Sequence, residues 1–68
     1  MNIEYTATNY SHPTITSGQH TNGPARVWIL VDGVWYATGS THMHRVRKEV
    51  EANGPGRIID GTWREYPR

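Results

Sequence analysis

The sequence predicts a small α+β domain, and three stretches of it carry that expectation. Residues 3–8 alternate apolar and polar, residues 26–38 form two apolar runs around an Asp-Gly pair, and residues 41–53 lie between a Ser-Thr start and a Gly-Pro stop. The expected order is β-β-β-α-β-β: an N-terminal strand, an Asp-Gly hairpin, one helix and a second, shorter Asp-Gly hairpin. The helix is expected on one face of a small antiparallel sheet, and residues 1–68 make one domain.

In the first strand Ile3, Tyr5 and Ala7 fall on one side and Glu4, Thr6 and Thr8 on the other, the pattern of a half-buried strand. Residues 9–25 are rich in Ser, Thr, Gly, Pro, Asn and His, with Ile15 the only aliphatic side chain larger than Ala. This reads as a long polar loop, and loops beyond about 12–15 residues in compact domains are usually functional or disordered.

The hairpin signal is the clearest. Asp32-Gly33 between Arg26–Val31 and Val34–Thr38 suits a type I′ turn, which needs positive φ at both central residues. That turn sets Val31 against Val34, Leu30 against Trp35, Ile29 against Tyr36 and Trp28 against Ala37. One face then shows Val27, Ile29, Val31, Val34 and Tyr36; the other shows Trp28, Leu30, Trp35 and Ala37. Next, Ser40 or Thr41 is an expected N-cap for a helix over 41–53, with Met43, Val46 and Val50 as its apolar stripe. Gly54 ends it at the C′ position and Pro55 blocks continuation. Arg57-Ile58-Ile59, Asp60-Gly61 and Thr62–Tyr66 read as the second hairpin. Asp32 and Asp60 are therefore turn residues rather than catalytic acids.

Composition excludes several classes. The 68 residues contain no Cys, which removes disulfides, thiolate metal sites and thiol nucleophiles. Three Trp and four Tyr with no Phe must supply the large core side chains. A net charge of +1 is too small for a uniformly basic nucleic-acid or membrane-surface binder, so electrostatic function must come from local clustering. Met1–Tyr5 lacks the basic and apolar regions of a signal peptide, and the apolar run Val27–Val31 is far short of a membrane span. A soluble, cytoplasmic protein with no membrane partner is expected.

Two features exceed what a featureless domain needs. The first hairpin is apolar on both faces, yet one helix covers only one of them. The Trp28/Leu30/Trp35 face then calls for the loop, a partner or a second copy, and a symmetric homodimer is the reading adopted, because the loop is so polar. The other feature is electrostatic. Helices favour anions at the N-terminus and cations at the C-terminus, each by roughly 0.3–1 kcal/mol. Here His42, His44, Arg45, Arg47 and Lys48 crowd the first half while Glu49 and Glu51 sit in the second, with i,i+4 pairing of Arg45 to Glu49 and Arg47 to Glu51 as partial compensation.

Anion capture would justify that reversal. Free N–H groups at a helix start bind phosphate or carboxylate. Gly39 lets a ligand approach the backbone, Ser40 and Thr41 offer hydroxyls, and His42, His44, Arg45, Arg47 and Lys48 supply positive charge. Ordinary capping with a solvated basic face would use the same residues; the reversed dipole is what favours a ligand. Trp35, Tyr36 or Trp63 could stack on a base, although Tyr36 reads better as core.

Metal binding and catalysis are not expected. On a helix His42 and His44 diverge by about 200°, and His12 and His20 have no carboxylate near them in sequence. Ser17 and Ser40 sit in no nucleophile elbow, while Glu49 and Glu51 diverge and are expected to face solvent. The leading expectation is therefore a non-enzymatic, cofactor-free binding protein for a phosphorylated small molecule or nucleic acid. Its rival is a protein–protein inhibitor or adaptor that uses the Trp28/Leu30/Trp35 face against a host protein. That reading follows from the frequency of such short, cysteine-free chains in phages and mobile elements.

Overall fold

The computed structural model describes residues 2–64. Three strands, β1 (Ile3–Thr8), β2 (Arg26–Val31) and β3 (Val34–Ala37), are followed by helix α1 (Met43–Asn53) and a single helical turn, α2 (Gly56–Ile59). The sheet is an antiparallel meander with β2 in the centre. The chain is thus an α+β fold of one three-stranded sheet with helix α1 against it.

Register follows from the alternation of the strands. Tyr5 and Tyr36 flank Ile29 across the sheet, Ile3 and Val34 flank Val31, and Ala7 lies beside Val27. Those side chains share one face, and α1 lays Val46 and Val50 on it. Val27, Ile29 and Val46 lose all solvent contact, joined by Val31, Val50 and Ile58, with Ile3, Tyr5, Tyr36, Met43 and Trp63 packed around them. On β2 each core residue is buried while its neighbours Trp28 and Leu30 remain half-buried, so the apolar run has one sealed face and one partly covered face.

The Asp32-Gly33 turn falls as expected, with φ of 51° and 82°. Beyond β3 the backbone folds back onto the start of β2. Val27 N–H donates to Ser40 O at 3.0 Å, Thr38 N–H to Val27 O at 3.0 Å, and the buried Thr38 hydroxyl to the same carbonyl at 2.8 Å. This clasp fixes where α1 begins.

Two expectations need correction. The helix starts at Met43 rather than Thr41, with His42 as N-cap and no side-chain capping bond. Ser40 accepts the His42 N–H at 2.9 Å within the preceding turn and so organises the approach to the helix, not its first turn. At the other end Gly54, φ 75°, returns its N–H to Val50 O at 2.8 Å, as a C-terminal glycine should.

The second hairpin is replaced by α2. Ile58 and Ile59 donate to Pro55 O, and Asp60 to Gly56 O, which closes a helical turn where a strand was expected. Gly61, φ 77°, then acts as the left-handed residue past a helix end, and Thr62 and Trp63 N–H both return to Arg57 O at 3.0 and 2.9 Å. Glu65 and Tyr66, the rest of the expected hairpin, lie outside the described residues. Among the described residues no helix is long and apolar enough to cross a membrane.

Candidate functional site

Helix α1 keeps the reversed charge pattern: no acidic residue in its first turn and no basic residue in its last. The expected ligand-binding residues do not converge, however. Ser40 is buried at 2% exposure, its oxygen engaged by the His42 N–H, and therefore presents no free hydroxyl outward. Gly39, His42 and His44 are exposed around the helix start, and Thr41 belongs to a cleft on the opposite side of the sheet.

The basic side chains divide by helical position. Arg47 turns toward β1 and stacks on Tyr5, its Cζ 5.0 Å from the ring centroid, a cation–π contact. Burial, with Glu51 adding to it, holds the Tyr5 hydroxyl above its ordinary pKa, while Arg47 pulls the other way. Because the folded value is raised, this group's stabilising contribution is complete below the ordinary Tyr value and is lost as pH rises through the raised one. Arg47→Ala should raise the Tyr5 ionisation further, which an alkaline titration followed through the Tyr5 ring resonances checks.

Arg45 and Lys48 lie on the other flank. With Trp63, Arg64 and Glu49 they line a cavity of about 380 Å³ between α1 and the segment after α2. Trp63 is held there by its N–H bond to Arg57 O and by packing against the core. Arg64 folds back so that its guanidinium donates to the carbonyls of Gly61 and Trp63. Lys48 has no ion-pair partner among the described residues.

Glu49 corrects a further expectation, that it faces solvent. Its side chain is only 6% exposed and accepts from Arg57 Nη1 and Asn53 Nδ2, each at 2.9 Å. The one carboxylate among the described lining residues is therefore already paired with Arg57 and Asn53. Neither Arg64 nor the role of Glu49 is visible in sequence, because both depend on α2 bringing residues 57–64 against α1. Trp63, a stacking candidate from sequence, is the aromatic side chain among the described residues lining this cavity with Arg45, Lys48 and Arg64.

Of the apolar face, Trp28, Leu30 and Trp35 are all half-buried. The 9–25 loop reaches over part of it, with the His12 ring 5.4 Å from that of Trp28. Among the described residues, the large hydrophobic side chains that stand exposed are Ile15, Val34 and Ile59. No cluster of three or more His, Asp or Glu side chains able to hold a metal occurs among the described residues. The chain matches no protein-family model, no curated protein and no solved structure.

Proposed function

We propose that this chain is a small non-enzymatic binding module that captures a phosphate-bearing ligand, a nucleotide or a stretch of nucleic-acid backbone, in the cavity on the Lys48 flank of α1. The observation that supports it is a cation-lined cavity with an indole in its wall, in which the only described carboxylate is internally compensated. Lys and Arg side chains attract phosphate oxygens. An adjacent Trp adds base stacking of roughly 1–3 kcal/mol per base. The described lining offers no hydroxyl or imidazole to act as nucleophile or base, which favours binding over turnover. This reading moves the anion site from the backbone at the helix start to the flank of the helix.

Titration with nucleoside triphosphates and short single-stranded oligonucleotides, followed by tryptophan fluorescence, tests it. Lys48→Glu should weaken binding about tenfold or more and flatten its salt dependence. Arg47→Glu, which makes the same two-unit charge change on the Tyr5 side, should leave affinity nearly unchanged. Equal losses from the two substitutions would mean diffuse attraction to a basic helix and no defined site.

A further inference from the structure

The outer face of the sheet carries a separate cleft, and we propose that it binds a small hydroxylated carboxylate, the 9–25 loop closing over it. Thr8 and Arg26 are register partners and share this face with Trp28, which gives the cleft its floor. Ser11 and Asn22 from the loop and Thr41 from the β3–α1 connection contribute to its walls. The space is about 260 Å³ and more enclosed than the cavity beside α1. It holds roughly nine water volumes, the size of a single sugar ring.

The chemistry of the lining selects the ligand. No Asp or Glu is among the described lining residues. Arg26 is held in place by donation from Nη1 to Thr38 O at 3.1 Å, yet has no carboxylate partner among the described residues. A guanidinium has five N–H donors, so most of its capacity remains unspent. The side chains of Ser11, Asn22 and Thr41 make no hydrogen bond among the described residues. Trp28 Nε1 is buried with no acceptor among the described residues. An indole N–H can only donate, and a buried donor without an acceptor is destabilising. The set is donor-rich, carries one fixed positive charge and has an aromatic floor. A ligand with one carboxylate and several hydroxyl oxygens matches that inventory; a multiply charged phosphate does not.

Loop construction supplies the closing motion. Its hydrogen bonds are largely internal: Thr21 N–H and hydroxyl both donate to Asn9 O at 2.8 Å, and Tyr10 Oη meets His20 Nε2 at 2.7 Å with the two rings edge to face. Such a loop can lift as a unit from Trp28, admit the ligand, and close with an acceptor delivered to Nε1.

The test uses the full chain, isotope-labelled, with D-glucuronate as probe and glucose and inorganic phosphate alongside it. The three indole N–H resonances are assigned by single Trp→Phe substitutions, with Trp35→Phe and Trp63→Phe identifying Trp28 by elimination if Trp28→Phe folds poorly. Glucuronate should shift the Trp28 indole saturably, and Arg26→Gln should weaken that response roughly tenfold. Lys48→Glu should not affect it, which keeps this cleft distinguishable from the phosphate site. The proposal is overturned by an indole that glucuronate does not move, by an equal response to glucose or phosphate, or by a response that survives Arg26→Gln.

Discussion

Ile29→Ala is expected to lower the unfolding free energy by about 2–5 kcal/mol, the cost of emptying a fully buried aliphatic site. Ile29 has no solvent exposure, sits at the middle of the central strand, and is flanked in register by Tyr5 and Tyr36. At about 0.05–0.15 kcal/mol per residue, a chain of this length holds only roughly 3–10 kcal/mol in total. The deletion therefore removes a large share of it, and a measurable unfolded population should appear without denaturant. Val34→Ala, at a site 50% exposed on the same face, should change stability by no more than about 0.5 kcal/mol. Urea unfolding followed by circular dichroism compares the two. Similar midpoints for both variants would mean that the core does not lie where β2 meets α1.

β1 was legible from its apolar–polar alternation, β2 and β3 from two apolar runs around a turn pair; a one-residue slip would turn Val27, Ile29 and Val31 outward. Register at β2–β3 follows from Asp32-Gly33 alone. The same dipeptide misled at Asp60-Gly61, and the dihedrals show why. Asp32 and Gly33 both have positive φ, whereas Asp60 sits at φ −83° with only Gly61 positive. A glycine with positive φ serves a hairpin or a helix end equally well. Pro55-Gly56 before the Ile58-Ile59 pair was the available clue, since proline suits the start of a helix and cannot donate to a strand ladder. Burial decides the outcome: a helical turn puts Ile58 into the core at 6% exposure and leaves Ile59 outside at 40%.

The candidate site was legible only as a charge pattern. Sequence spacing places Arg45 and Lys48 three apart on one flank of a helix and Arg47 on another, yet it cannot say which flank meets an aromatic side chain. That depends on α2, the element the sequence misrepresents. Likewise the polarity of residues 9–25 argued against their covering Trp28, but His12 offers a ring and several of the loop's polar groups, those of Tyr10, His12, His20 and Thr21 among them, bond within the loop, so polarity did not prevent coverage.

Glu49→Gln should move stability and ligand affinity in opposite directions. The carboxylate bridges Asn53 and Arg57, tying α1 to α2, and its replacement by an amide weakens a charge-assisted bond in a largely buried position. Breaking a fully buried pair costs about 3–5 kcal/mol. Here the Arg57 side chain is 55% exposed and can rehydrate, so a loss of about 1–2 kcal/mol is expected. For a phosphate in the neighbouring cavity the same change removes a negative charge and releases the Arg57 cation. At about 8 Å and an effective dielectric of about 20, a unit charge contributes roughly 2 kcal/mol before screening. With screening, affinity should rise about threefold to tenfold at low ionic strength, and the gain should shrink as salt is added. Calorimetric titration and thermal unfolding of the same variant supply both readings. A protein that becomes less stable and binds more tightly identifies this wall as the one the anion feels. If affinity instead falls in step with stability, Glu49 serves the fold alone and the phosphate site lies elsewhere.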